Sequence, residues 1–516
     1  MIRNVLTYLD EIVTRLPDKV AYANEEEGFT FRQVYEQSRG VGTYLHEKGI
    51  YRSPVVVFMN KHPKTIIAFL GVITGGCYYV PIDEEMPGSR IDLILENCKP
   101  RLMICDSQTI EKAKGFAFDG ELALYDEICA TPADDKALSD IRQKALDIDP
   151  IYIVFTSGST GVPKGVAACH RSVIDYIEQL SATLGFSEDT VFANQTPLYF
   201  DACLKEVYPT LKFGATTYIV PKSYFMFPLK LVEFLNTYKI NTICWVVSAL
   251  TMISAFGTFD TVQPKYLRTI AFGSEVFPKK QFDIWRKVLP EASFTNLYGP
   301  TEGTGMCCYF HVDRELGEDE PIPIGRPFDN TEILLLDKDN KLASEGEICI
   351  RGTGVTLGYY NNPEKTSAAF VQNPLNTAYP EIIYRTGDMG RYNERGELVF
   401  MARQDDQIKH MGHRIELGEV EANVNSMEGV RLCGCIYDKE KEKIVLYYVG
   451  DPEVRTLVRD LKQRVPRYMV PNVVRKVEKM PFTANGKLNR KELKNWYQQE
   501  KAEKEKSRRE EANTGK

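Results

Sequence analysis

No apolar run in this 516-residue chain approaches the roughly 20 residues that a membrane-spanning helix needs. The first segment, MIRNVLTYLDEIVTRLPDKVAY, breaks its apolar residues with acidic ones, so it predicts an amphipathic helix and not a secretion signal. Positive charge is also short. Lys and Arg number 64 against 71 Asp and Glu, a net charge of −7, and nucleic acid, which needs a basic face to displace its counterions, is not an expected partner. None of the 12 cysteines forms a CxxC pair; Cys307 and Cys308 are adjacent and Cys433 and Cys435 are one residue apart, so paired zinc-ligand spacing is missing. Scattered in this way they read as buried, reduced thiols of a cytoplasmic protein with no membrane partner. No internal repeat is present.

What is present is the composition of a globular protein, 43% hydrophobic, 26% charged and 11% aromatic. The length exceeds what one core supports, about 250–300 residues, so two or more domains are expected. Short β-rich runs such as SPVVVFM, PRLMICD, IYIVFT, NTICWVV and LRTIAFG alternate with helical stretches such as PLKLVEFLNTYK, which is α/β layering. After about Asn330 closely spaced strands and turns predict a hairpin-rich subdomain. The expected architecture is a large α/β N-terminal core over 1–404 with a β-rich subdomain, a small α+β C-terminal domain over 405–499 set off by a hinge, and a charged tail over 500–516 that is a frayed helix or disordered.

The stretch FTSGSTGVPKG follows a predicted buried strand. Its glycines let the backbone approach a ligand, and its N–H groups and hydroxyls suit polyphosphate oxygens. It is not a Walker A loop, because Lys164 is followed by Gly165 and preceded by Pro163, where that pattern requires Gly then Lys. Taken alone, a polar hairpin loop without a ligand is equally compatible.

The companions of this loop decide between the two. TSGSTGVPKG, PLYFDACLKEVYP, NLYGPTEG, YRTGD, RQDDQIKHMGHRIELGEVE and TANGKLNR occur in one order along the chain. Together they resemble the core motifs of the adenylate-forming enzymes, which include acyl-CoA synthetases, luciferases and the adenylation domains of nonribosomal peptide synthetases. The resemblance implies ATP and Mg²⁺ as cofactors, with a carboxylate attacking the α-phosphate, pyrophosphate leaving, and a thiol capturing the acyl-adenylate.

Residue by residue, it implies that Thr156, Ser157, Ser159 and Thr160 hold the β- and γ-phosphates with Lys164 nearby. Asn296, Leu297, Tyr298, Gly299 and Pro300 line the nucleotide, with Tyr298 stacked on adenine, Thr301 against the α-phosphate and Glu302 on Mg²⁺. Asp388 accepts the ribose hydroxyls, and Arg403 contacts the nucleotide beside the hinge, with Ala402 where the family has glycine. Lys487 is the catalytic lysine that bridges substrate carboxylate and α-phosphate, and Asp405 is the hinge, with Asp406 directly behind it and the Gly412 loop helping to form the thiol tunnel. His410 and His413 read as polar residues beside the hinge.

Asp201 in FDACLKE stands where the amino-acid-activating branch places the partner of the substrate α-ammonium. An aspartate capping a helix that begins at Ala202 is the plainer alternative. By eye, Ala202, Lys205, Cys244, Ile270, Phe272, Gly273, Leu297, Gly305 and Met306 surround the side-chain pocket; Phe272 and Leu297 make it small, and Lys205 either pairs with an acidic substrate side chain or points to solvent. The implied function is activation of a small or acidic amino acid and its transfer to the phosphopantetheine thiol of a carrier protein. A D-alanine:carrier protein ligase, an acyl- or aryl-CoA ligase, and a catalytically silent nucleotide-binding protein are the alternatives.

Overall fold

The computed structural model describes residues 2–158, 161–317, 320–403, 407–481 and 488–514, with side chains to residue 503. By internal contacts the chain forms two units. The first comprises residues 1–85, 91–156 and 164–405, and the second residues 86–90, 157–163 and 406–516.

Among its described residues the first unit holds three sheets. The largest has nine strands, and its central members, Thr242–Val246, Thr269–Gly273 and Ser293–Tyr298, run parallel. They read as continuous apolar runs because both faces are covered, one by a core containing Cys244, Ala271 and Leu297, the other by a core containing Trp245, Phe272 and Phe282. The second sheet has six strands and ends in the antiparallel pair Pro150–Thr156 and Lys164–Cys169. The third is five-stranded and antiparallel, and it contains Ile382–Tyr392 paired with Leu398–Arg403. Helices join the parallel strands, and local signals fix their ends. Thr30 and Gln33 form a reciprocal capping box for Phe31–Glu47, and helix Leu204–Phe213 stops at Gly214, whose φ of 77° is left-handed.

The second unit carries a two-stranded hairpin, Gln407–His410 with His413–Glu416, and a three-stranded sheet of Val430–Asp438, Lys443–Gly450 and Val473–Lys476. Met411 and Gly412 both have positive φ, 51° and 79°, as a two-residue primed turn requires. Helices Leu417–Asn425 and Val454–Leu461 pack on that sheet through Val420, Val424 and Leu457. A final helix, Arg490–Thr514, runs unbroken past residue 500, where the charge pattern places a separate tail. The second unit is thus a small mixed α+β domain and the first a large α/β lobe with a β-rich subdomain, the fold class that the sequence predicts. Among the described residues no helix is long and apolar enough to cross a membrane.

Candidate active site

In open parallel sheets, ligands bind beyond the carboxyl ends of the strands. Strand Ser293–Tyr298 ends at Tyr298 and turns through Gly299 and Pro300 into the short 3-10 turn Thr301–Gly303. Asn296 is held by a bond from Nδ2 to Pro323 O at 2.8 Å. Tyr298 is buried, and its hydroxyl donates to Asp388 Oδ2 at 2.5 Å. Burial, helped by the Asp388 charge, pushes this phenol well above its ordinary pKa, so it stays a donor.

Asp388 and Arg403 are cross-strand partners, and the antiparallel register brings their side chains together. Arg403 Nη1 donates to Asp388 Oδ1, and Nη2 to Thr386 O at 3.0 Å. The pair is nearly dry, with side chains 12% and 3% exposed. A carboxylate has about four acceptor sites, so Asp388 keeps capacity for further donors after accepting from Tyr298 and Arg403.

Glu302 is fully buried, and its Oε1 lies 3.6 Å from Lys164 Nζ. Thr301 beside it is half-buried. Among the described residues no group of three or more His, Cys, Asp and Glu side chains could hold a metal ion by itself. A single buried carboxylate nevertheless suits Mg²⁺, which takes one or two carboxylates and completes its shell with phosphate oxygens and water.

Of the loop TSGSTGVPKG, Thr156 belongs to the first unit, its hydroxyl 3.5 Å from Lys164 O. Ser157 belongs to the second, where its hydroxyl donates to Arg414 O at 3.0 Å and accepts from Glu416 N at 3.2 Å. Ser159, Thr160, Asp405, Asp406 and Lys487 lie outside the described residues. His413 stacks on Tyr468 at 3.7 Å, and His410 Nδ1 lies 3.3 Å from the Tyr437 hydroxyl.

Asp201 is 8% exposed and opens a 3-10 turn, Asp201–Cys203, whose cap is Phe200; the following helix starts at Leu204 with Cys203 as its cap. Asp201 therefore occupies neither cap position. Its charge reaches the buried phenols of Tyr152 and Tyr176, both raised in pKa chiefly by burial. Lys205 is 2% exposed, which rules out the solvent-pointing alternative, and Ala202 between the two is half-buried.

Register separates the remaining pocket residues. Cys244 and Leu297 share a face and a core with Met306. Ile270 and Phe272 point to the opposite core, where the Phe272 ring meets Phe277 at 5.1 Å and Phe282 at 5.8 Å. Narrowing one pocket with both Phe272 and Leu297 requires them side by side, and strand alternation forbids it. Gly273 pairs with Leu297. Gly305, at φ 89°, abuts the Tyr176 ring, whose buried hydroxyl has no partner among the described residues. Sequence reasoning missed Tyr176 and Tyr359, which lie in none of its motifs, and Glu206, which closes FDACLKE but whose full burial no motif signals; sheet and helix packing decides the surroundings of all three.

Residues 9–360 match the AMP-binding enzyme family and residues 419–487 the AMP-binding enzyme C-terminal domain. Zwittermicin A synthase ZmaJ of Bacillus cereus is 32% identical, over 94% of this chain and 93% of its own length. Gramicidin S synthase 2 of Brevibacillus brevis is also 32% identical over 94% of this chain, but the chain spans only 11% of that relative's length. Among solved structures, an artificially fused adenylation-PCP di-domain NRPS from Klebsiella oxytoca superposes with a TM-score of 0.80 at 22% identity, covering 92% of this chain and 94% of that one. The o-succinylbenzoate CoA synthetase MenE from Bacillus subtilis gives 0.81 at 19% identity over 95% and 98%. At such identities the superposition establishes the fold and does not separate amino-acid from CoA ligases. With the family matched across most of its length and the Tyr298–Asp388–Arg403 and Lys164–Glu302 groupings assembled in the first unit, the chain belongs to the AMP-binding enzymes, the adenylate-forming ligases.

Proposed function

We propose that the protein activates an α-amino acid with ATP and passes the aminoacyl group to the phosphopantetheine thiol of a carrier protein. In the first step a carboxylate oxygen of the amino acid attacks the α-phosphorus, the P–O bond to the β-phosphate breaks, and pyrophosphate leaves. In the second the thiol sulfur attacks the acyl carbon and AMP leaves. Asp388, Arg403 and Tyr298 hold the nucleoside, Thr156, Ser157, Ser159, Thr160 and Lys164 the outgoing phosphates, and Thr301 the α-phosphate. Bound Mg²⁺, held by Glu302, would supply charge neutralisation on the phosphate oxygens. Lys487 is the lysine proposed to steady the charge that builds between carboxylate and α-phosphate, and Asp405 is the proposed hinge.

One observation carries the substrate class: Asp201, a carboxylate 8% exposed at the entry to the helix that bears Lys205. A dry carboxylate suits a cation, and the α-ammonium common to all amino acids is one. Breaking such a buried pair costs about 3–5 kcal/mol, a factor on the order of 10² to 10⁴. Lys205, 2% exposed and in no salt bridge among the described residues, favours an acidic substrate side chain. The small-pocket argument is not retained, since Phe272 faces the other core.

The test is ATP–pyrophosphate exchange with a panel of D- and L-amino acids and their deaminated analogues. The expected outcome is exchange with an acidic amino acid, none with the deaminated acid, and a loss of at least 100-fold in Asp201→Asn. Undiminished exchange in that variant, or equal exchange with the deaminated acid, removes the amino-acid reading and leaves the acyl- or aryl-CoA ligase. Offering coenzyme A in place of a loaded carrier protein then assigns the acceptor.

A further inference from the structure

The Glu302 carboxylate has a neighbour that no motif pairs with it. Tyr359 donates its hydroxyl to Glu302 Oε1 at 2.7 Å. Lys164 Nζ lies 3.6 Å from the same oxygen, 3.4 Å from the Tyr359 hydroxyl and 5.0 Å from the centre of its ring. One phenol thus touches both charged groups that flank the proposed phosphate site, and all three residues belong to the first unit.

Backbone contacts fix the tyrosine on both sides. Leu357 N donates to Ala167 O at 2.9 Å, Ala167 N to Gly358 O at 3.0 Å and Tyr360 N to Gly165 O at 2.7 Å, which laces this segment to the strand that carries Lys164. Upstream, Thr356 N donates to Glu302 O at 3.0 Å and Thr304 Oγ1 to Gly354 O at 2.6 Å, so the same segment holds the Glu302 turn. The ring packs edge-on against Phe370 at 5.5 Å. A donor held this firmly is set before any ligand arrives, and hydrogen bonds to an ionised carboxylate are about twice as strong as neutral ones.

We infer that Tyr359 is a positioning residue for adenylation, keeping the Glu302 carboxylate aimed when Lys164 turns from it to the nucleotide phosphates. The inference rests on the proposed function, since it takes Glu302 as the Mg²⁺ ligand and Lys164 as a phosphate contact. Tyr359 never touches substrate; it acts through Glu302. Phenylalanine at 359 keeps the ring and its packing and removes only the donor.

The experiment is calorimetric binding of ATP to the full chain with Mg²⁺ and with EDTA, for wild type, Tyr359→Phe, Glu302→Gln and the double variant, alongside the Mg²⁺ dependence of pyrophosphate exchange. Tyr359→Phe is expected to weaken Mg²⁺-dependent ATP binding about tenfold and raise the Mg²⁺ needed for half-maximal exchange similarly. ATP binding in EDTA and KM for the amino acid should not move. In the Glu302→Gln background Tyr359→Phe should add nothing. An equal loss with and without Mg²⁺, a full additive effect on Glu302→Gln, or no effect in Tyr359→Phe overturns the inference. Wild-type protein that binds no ATP in either condition would instead overturn the proposed function, so the two failures are told apart.

Discussion

Lys205 stands next to Glu206 on one helix, and the two side chains meet different surroundings. Glu206 is fully buried, accepts from Asn194 Nδ2 at 3.3 Å and leaves Oε1 without a partner among the described residues. Burial pushes its carboxyl up to about 8, against the opposing pull of the Lys205 and Lys61 charges. Below that pH Glu206 is mostly uncharged and does not neutralise Lys205, which is left for a substrate carboxylate. Above it Glu206 ionises, competes for Lys205 and repels an acidic side chain. Preference for an acidic amino acid over its amide should therefore weaken as pH rises past about 8, and Lys205→Met should remove at least tenfold of that preference at pH 7. The ratio of kcat/KM for the acid and its amide measures both; a ratio that ignores the substitution places Lys205 outside substrate recognition.

Strand Ser293–Tyr298 and the turn after it show how an element carries chemistry. Phe294, Leu297 and Tyr298 are apolar enough to bury the strand, while Gly299 lets it end against another backbone segment. A Cβ at 299 would lie 2.4 Å from Gly305 O and 2.5 Å from Met306 Cα, atoms that cannot swing aside as a side-chain tip could. Gly299→Ala should cost about 1–3 kcal/mol of stability through overpacking, and should reduce exchange further by shifting the turn that bears Thr301 and Glu302. Urea unfolding and exchange rates on one preparation check it; full activity at unchanged stability would mean that the turn relaxes freely. The loop and turn motifs were legible because each compresses its chemistry into a few contiguous residues. The pocket walls were not, since Cys244, Phe272 and Leu297 differ in the face they present, and only the pairing of three strands fixes which face each takes.

For the molecule as a whole, His170 joins distant parts of the first unit. Val5 N donates to its Nδ1 at 3.3 Å, and the ring is 4% exposed. Burial, with the Arg142 charge, lowers its pKa to about 3 from an ordinary 6.5. A folded pKa below the unfolded one means that stability is full above 6.5 and is lost as pH falls toward 3, because the unfolded chain takes the proton first. The slope is about 1.4 kcal/mol per pH unit, so this group should cost about 2 kcal/mol between pH 6.5 and 5. His170→Gln should lose less stability over that interval by about the same amount in urea titrations; identical losses would show that His170 is protonated in the folded protein.

Sequence alone determined the family, the α/β class and the order of the nucleotide motifs, because glycine-rich loops, apolar strand runs and charged turn residues act over a few neighbouring positions. Tertiary structure alone decided that Lys205 is buried, that Phe272 faces away from Leu297, and that Tyr359 reaches Glu302, 57 residues earlier in the chain. Burial and strand facing depend on which elements pack together. A tyrosine becomes a carboxylate's donor only when a loop laced to one sheet brings it against a turn from another.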